Sequence, residues 1–404
     1  MARQIIDGCT AATHVAYALS DVATIYPITP IAEMGQTAQQ WGLVEGRKNL
    51  MGQILDVREM ESELGAAGAT HGALRAGALA TTFTCSQGLA LMFPNMFKIA
   101  GEQLPAVFHV GSRSLASHAL SIFGDHQDVM ACRATGFAVL ASANVQETMD
   151  LALVAHLAAI DGSMPVVHLM DGWRTSNEMS TIEMIDYEDM RGLVDWDKVA
   201  DFRRRAMNPE TPDLHGSAQN PDVFFQNREA CNSAYAAFPA IVGAAMKRVG
   251  DLTGRRYGLI DYHGAADAEY VMVSIGSSTM VTAEAVDWLN ARGAKTGLLT
   301  VRLVLPFPAG EFVRLLPPTV KGIAVMNRTK EPGSSAEPLT LDVMAALYGR
   351  AGAPAVYNGR YGLSSKDFTP SMAAAVFEAM AAGKLGKDFT VGINDDVTHL
   401  SVDV

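Results

Sequence analysis

Five short segments of the chain gather residue types that do chemistry: YPITP at 26–30, REMESELG at 58–65, TFTCSQG at 82–88, GSRSLASHALSIFGDHQD at 111–128 and HLMDGWRTS at 168–176. Each lies beside a short apolar run. A parallel sheet delivers such loops to its carboxyl edge, the usual ligand crevice of open α/β folds. In the second segment Glu59 and Glu63 are four residues apart, a spacing that stacks side chains one turn apart on a single helical face. The glycines of ELGAAGATHG, Gly65, Gly68 and Gly72, run along the same helix and would let a backbone or a ligand come close. A carboxylate there is suited to share a proton with a cofactor nitrogen, because burial disfavours its charged form unless a partner meets it. The plainer readings are a first-turn carboxylate that complements the helix dipole and a glycine stripe that packs helices tightly.

Arg113 follows the apolar run PAVFHVG, so its guanidinium should emerge at the sheet edge. Its fork would suit the carboxylate of an anionic substrate, and an ion pair with an acid such as Asp125 would suit it equally. Thr29 sits between two prolines that stiffen its loop, and its hydroxyl could meet a substrate oxygen or cap the helix after Pro30. His118 and His126 flank Asp125 without any H-E-x-x-H pattern and are expected to bond within their loop. Cys9, Cys85, Cys132 and Cys231 lie tens of residues apart with no C-x-x-C, which leaves no local zinc or iron-sulfur motif and predicts buried free thiols. Met34, Met51, Met60, Met92 and Met96 read as apolar filler. No metal site is expected.

The elements that must position these segments alternate. Apolar runs at Ala23–Ile28, Ala80–Thr84, Ala106–Val110 and Val166–Met170 alternate with helical periods such as Val145–Ile160, the order that builds a mostly parallel sheet covered by helices on both faces. From about 177 to 257 acidic residues and the pairs Asn208-Pro209 and Asn220-Pro221 break the period, which reads as a long connecting region. Alternation then restarts with strands at Tyr270–Ile275, Thr296–Val301 and Gly322–Asn327 and helices at Thr282–Arg292, Leu339–Tyr348 and Ser371–Met380. Two doubly wound α/β domains are expected, over 1–257 and 258–404.

The 404 residues fit two domains at about 150 residues each. Charged residues make up 18% against roughly 25% in ordinary soluble domains, which hints at surface buried against other chains. A net charge of -12 argues against a nucleic-acid partner, whose binding needs clustered Lys and Arg. The start MARQIIDGCTAATH has no basic segment leading into a long apolar stretch, and no apolar run reaches the about 18 residues of a membrane span, so a cytoplasmic location without membrane attachment is expected. Neither G-x-x-x-x-G-K-[ST] nor a strand-to-helix G-x-G-x-x-G occurs, which sets aside a P-loop and a standard dinucleotide site.

Taken together, YPITP, REMESELGAAGA, TFTCSQG, SRSLASHALSIFGDHQDV, AQNPDVFFQNREA, RTKEPG and the terminal FTVGINDDV resemble the amino-terminal third of the pyruvate:ferredoxin oxidoreductases, over essentially the whole chain. The resemblance implies domains I and II of the fused enzyme, or the alpha subunit of a split one: a pyrimidine-binding domain of a thiamine diphosphate enzyme, then a transketolase C-terminal-like domain. It implies decarboxylation of pyruvate on thiamine diphosphate, transfer of the acyl group to coenzyme A, and passage of electrons through iron-sulfur clusters to ferredoxin or flavodoxin, reversible as pyruvate synthase. Glu63 resembles the family's glutamate at N1' of the aminopyrimidine; a carboxyl sharing that proton lets the 4'-amino group take up the thiazolium proton. Thr29 and Arg113 resemble the substrate-contacting threonine and arginine. Tyr26, Pro27, Ile28, Ser86 and Gly88 fall on segments that line the cofactor pocket.

Thiamine enzymes hold magnesium and the diphosphate with a GDG motif followed by asparagine, and no GDG occurs here; DGS at 161 and DGW at 171 do not fit. Cluster ligands are lacking too, so partner subunits are expected to furnish magnesium, the diphosphate site, the 4Fe-4S clusters and most coenzyme A contacts, in a dimer of hetero-oligomers. The alternatives are an enzyme for another 2-oxoacid such as 2-oxoglutarate, whose second carboxylate would need a further cation, and a noncatalytic interaction subunit. RTKEPG at 328–333 could face a neighbouring subunit.

Overall fold

The computed structural model describes residues 2–394 and 397–404. Strand β1 (Arg3–Ile6) precedes α1 (Gly8–Leu19), capped by Asp7, and then β2 (Val22–Ile25), α2 (Ala32–Leu43), β3 (Asp56–Glu59) and α3 (Glu63–Arg75). Alternation continues through β4 (Ala80–Thr84), α4 (Ser86–Gly101), β5 (Val107–Ser112), the short α5 (Gln127–Ala131), β6 (Ala138–Ala141), α6 (Val145–Gly162) and β7 (Val166–Asp171). The first sheet has the order β6-β7-β5-β4-β2-β3, all parallel. Its central strands β4, β5 and β7 are buried along their whole length, as expected of parallel strands covered on both faces. Helix α6 is buried on nearly every side because it lies beneath both α1 and a later helix.

The stretch 177–257 is a connection, but it is largely helical, contrary to its broken sequence pattern. Strand β8 (Ser180–Glu183) pairs with β1, and α7 (Tyr187–Leu193), α8 (Trp196–Arg204), α9 (Pro221–Ala230) and α10 (Asn232–Thr253) follow. Helix α10 carries its own period in Phe238, Val242, Ala245, Met246 and Val249, all buried against α6 despite Pro239 inside it. Helix α9, formed by AQNPDVFFQNREA, buries no residue.

The second sheet is built from β9 (Ile260–Gly264), β10 (Tyr270–Ser274), β11 (Thr296–Val301), β13 (Gly322–Asn327), β14 (Ala355–Arg360) and β15 (Asp388–Thr390), with helices α11 (Ser278–Asn290), α12 (Ala309–Leu315), α13 (Pro338–Leu347) and α14 (Pro370–Ala381). Its order is β15-β14-β13-β10-β11-β9, parallel except for β9. The intervening β12 (Leu303–Leu305) leaves this unit and pairs antiparallel with β6, so a strand from beyond residue 258 completes the first sheet as its seventh. A buried ion pair, Glu147 of α6 to Arg302 at 2.8 Å, fastens the same junction, and Asp150 of α6 pairs with the half-buried Arg255 at 2.5 Å just before it. Asp395 and Asp396 of FTVGINDDV lie outside the described residues.

A histidine trio occupies the core of the first sheet. His109 of β5 and His168 of β7, neighbours in register, meet at 3.0 Å, His109 meets His156 of α6 at 3.2 Å, and His168 reaches the Ser142 hydroxyl at 2.7 Å. Burial pushes the pKa of His156 and His168 down to about 3, and burial with its neighbours' charge holds His109 well below the ordinary value. In the unfolded chain the same imidazoles bind protons near about pH 6.5, while the folded ones do not. Lowering the pH from there towards 3 therefore protonates the unfolded state first and removes stability, by about 1.4 kcal/mol per pH unit for each histidine. Urea unfolding is expected to show this loss between about pH 7 and 5, before carboxylates titrate, and His156→Gln should lessen the slope by about one proton. A pH-independent midpoint across that window would refute it.

Candidate active site

The strand order around β2 is that of a doubly wound sheet whose chain runs first to one side, to β3, and then to the other, to β4. Loops after β2 and β4 leave in opposite directions, and the crevice they open is the usual ligand position. Into it the structure brings Thr29 after β2, Cys85 and Ser86 after β4, Arg113 after β5, and Glu63 at the start of α3.

Glu63 opens α3 behind Ser62, whose hydroxyl accepts the Gly65 N–H at 3.2 Å. That cap places Glu59 at the end of β3 instead, so the two glutamates do not share a helical face as their spacing suggests. Glu59 is exposed, whereas Glu63 is only 6% exposed and its carboxylate is bonded by no described residue. It leans on the first turn of α4: a Cβ built on Gly88 would stand 2.7 Å from both Glu63 Oε1 and Thr84 Oγ1. Only glycine fits there. The Thr84 hydroxyl is itself buried without a partner. The glycine stripe does not pack helices tightly, since Gly68 and Gly72 are exposed and a Cβ would be accommodated at both.

Arg113 is buried, donates from Nη1 to the Thr29 carbonyl at 2.7 Å, and leaves Nε unpaired. The Cys85 thiol donates to the same carbonyl at 3.2 Å, and its pKa is raised by burial and by Asp128 and Glu63, against the opposing charge of Arg113. Among the described residues no carboxylate pairs with Arg113. Asp125, the candidate acid, instead accepts from the Ser114 hydroxyl at 2.5 Å and the Gln127 N–H at 3.1 Å. Among the buried arginines Arg75, Arg113, Arg302 and Arg328, Arg113 alone lacks an acidic partner.

Thr29 is exposed and caps nothing; the N-cap of α2 is Ile31, so its hydroxyl is free to meet a ligand. Tyr26 is exposed and Pro27 and Ile28 half-buried along the same loop, because β2 ends at Ile25 and not Ile28. Ser86 has φ 53°, a left-handed conformation costly for a residue with a side chain, and its N–H donates to Asp128 at 2.7 Å. Asp128, which closes the 111–128 segment but is assigned no role of its own by the sequence, is fully buried and also accepts the Arg113 N–H at 2.9 Å.

HLMDGWRTS lines the crevice from behind, with Gly172 close against the Ser112 carbonyl. His118 does bond within its loop, to Ser117 at 3.3 Å, but His126 reaches Asp171 at the end of β7. Three cysteines are buried and Cys231 half-buried, all as free thiols. Among the described residues no cluster of side chains could hold a metal, and no helix is long and apolar enough to cross a membrane.

A buried carboxylate and a buried guanidinium, each without an ion partner at one switch-point crevice, suit a cofactor ring nitrogen and a small anion. Residues 14–247 match the model described as pyruvate flavodoxin/ferredoxin oxidoreductase, thiamine diphosphate-binding, and residues 268–373 match pyruvate:ferredoxin oxidoreductase core domain II. The chain belongs to the pyruvate flavodoxin/ferredoxin oxidoreductase family. It is 59% identical over its full length to the pyruvate:ferredoxin oxidoreductase of Moorella thermoacetica and 53% identical over 98% of its length to the pyruvate-flavodoxin oxidoreductase of Enterobacter agglomerans, covering 34% of each. It is 50% identical to a pyruvate-flavodoxin oxidoreductase of a Nostoc species, covering 98% of both. The chain thus spans about a third of the length of most curated relatives it matches. Its fold is shared with the 2-oxoglutarate:ferredoxin oxidoreductase of Magnetococcus marinus (TM-score 0.69, 20% identity, 93% of this chain and 65% of that one). A split-gene transketolase matches with a TM-score of 0.50 and 11% identity, over 87% of this chain and 89% of the other.

Proposed function

We propose that the chain forms the alpha portion of a pyruvate:ferredoxin or pyruvate-flavodoxin oxidoreductase, which converts pyruvate and coenzyme A to acetyl-CoA and carbon dioxide and can run in reverse. The observation that carries the reading is that Glu63 and Arg113 are buried at one crevice and have no ion partner among the described residues. Thiamine diphosphate, when bound, supplies the carbon nucleophile and the electron sink for decarboxylation. Glu63 holds a proton at N1' of its ring. Arg113 binds the substrate carboxylate, Thr29 offers its hydroxyl to a substrate oxygen, and Tyr26, Pro27, Ile28, Ser86 and Gly88 wall the ring pocket. A single unpaired arginine answers the one carboxylate of pyruvate; 2-oxoglutarate would need a second cation.

In this reading residues 1–257 are the pyrimidine-binding domain and 258–404 the transketolase C-terminal-like domain. Partner domains or subunits hold magnesium, the diphosphate and the 4Fe-4S clusters and contribute the coenzyme A site, in a cytoplasmic dimer of such assemblies that reduces ferredoxin or flavodoxin. The test is to purify the native complex, identify its chains and assay several 2-oxoacids with coenzyme A. Pyruvate is expected to be preferred over 2-oxoglutarate by about a hundredfold or more in kcat/KM. Preference for the diacid, or no turnover with any 2-oxoacid, would overturn the reading.

A further inference from the structure

The second sheet has its own switch point, where loops after β10 and β13 diverge, and a carboxylate from the first sheet enters it. Asp171, at the end of β7, accepts the Ser277 N–H at 2.8 Å and pairs with Arg328 at 3.2 Å and with His126. Arg328 opens RTKEPG, and it is 4% exposed, so this side chain faces the first domain and not a neighbouring subunit. The head of the crevice that would ordinarily take a ligand is thus an internal socket for Asp171, beside an open cavity lined by Met280, Arg328 and Tyr361.

From that socket the second domain grips a continuous stretch of the first. Gly124 exchanges hydrogen bonds with Ser365, its N–H reaching Oγ at 2.8 Å and its carbonyl accepting the Ser365 N–H at 2.7 Å. Asp125 accepts the Ser364 N–H at 3.3 Å, the His126 N–H donates to the Arg328 carbonyl at 2.7 Å, and the Gln127 amide reaches the Lys330 carbonyl at 3.3 Å. The next residue is Asp128. One oxygen accepts the N–H groups of Ser86 and Arg113, and the other accepts the Ser112 hydroxyl at 2.6 Å and the Val129 N–H at 2.8 Å. A single buried carboxylate therefore joins the strained turn after β4 to the backbone that carries the arginine.

We propose that Asp128 is a positioning residue, held in place by the second domain, that sets the orientation of Arg113 and of the Ser86 turn. The proposal rests on the functional reading above. It gives the second domain a task, that of clamping residues 124–127 so that two walls of the site keep one geometry. Four donors on one carboxylate leave it little freedom, and an error of about 1 Å at such a support is enough to cost about a hundredfold in rate. Because Asp128 is fully buried and both its oxygens are taken by protein donors, its loss should appear as misorientation.

In the purified complex, Asp128→Ala is expected to lower kcat/KM for pyruvate about a hundredfold, through both kcat and KM, and to lower the melting temperature of the assembly by a few degrees, because four buried donors lose their acceptor. Asp128→Asn, which can keep an acceptor for the two N–H groups, should recover most of that loss and stay within about tenfold of the parent. Asp171→Asn at the socket should shift KM in the same direction, and hydrogen exchange in 82–88 and 111–128 should quicken in it while 145–162 keeps its protection. Unchanged KM in Asp128→Ala would overturn the proposal. So would failure of both Asp128 variants to fold, or equal loss in the alanine and asparagine variants, because Asp128 would then serve the fold alone. Glu63→Gln in the same preparation keeps the two questions apart: full turnover there refutes the thiamine reading, while exchange in Asp171→Asn still decides whether the second domain clamps the loop.

Discussion

Glu63→Gln in the assembled enzyme is expected to lower pyruvate-dependent reduction of ferredoxin or a dye by about a thousandfold, within the range that positioned proton transfer contributes. Glutamine has nearly the same shape and can still bond a ring nitrogen. It cannot share a proton with that nitrogen, so the substitution removes the exchange and little else. The site itself supports a clean result. Glu63 bonds no described residue, and the Ser62 cap starts α3 without its side chain, so the fold loses no hydrogen bond. The Gly88 surface against which the side chain rests accepts the amide as readily as the acid. Near-normal turnover with intact cofactor binding would mean that the carboxylate has no chemical task, and would favour a chain that only supports its partners.

Arg113→Ala should act on the substrate and not on the ring. Among the described residues the guanidinium bonds the Thr29 carbonyl and leaves Nε unpaired; a bound carboxylate would complete it. Charge-assisted bonds of this kind are worth about 1.5–3 kcal/mol, so KM for pyruvate should rise about ten- to hundredfold, with a further fall in kcat from lost orientation. Arg113→Lys should recover part of the binding and little of the orientation, because an ammonium cannot fork. Steady-state kinetics beside a titration of thiamine diphosphate would separate the roles. A change confined to cofactor affinity would show that Arg113 supports the ring and does not clamp the substrate.

The sequence by itself determined the two doubly wound sheets, because consecutive buried runs such as 80–84 and 166–170 bounded by helical periods have few other ways to hide their apolar faces. It brought Thr29, Ser86 and Arg113 to one sheet edge as well, since parallel strands send their following loops there and each of the three stands just beyond a strand. Spacing misled where a cap intervened, and Glu59 and Glu63 parted at Ser62 because one side chain bonding one N–H outweighs a helical period four residues long. Only the tertiary structure decided that Arg113 has no acid and that Asp128 joins two loops 42 and 15 residues away along the chain. It alone sent Leu303–Leu305 into the first sheet and put Asp171 into the crevice of the second. Those outcomes turn on which polar groups meet once the sheets have closed, and a buried group takes whichever partner the packing brings within about 3 Å, however distant in sequence.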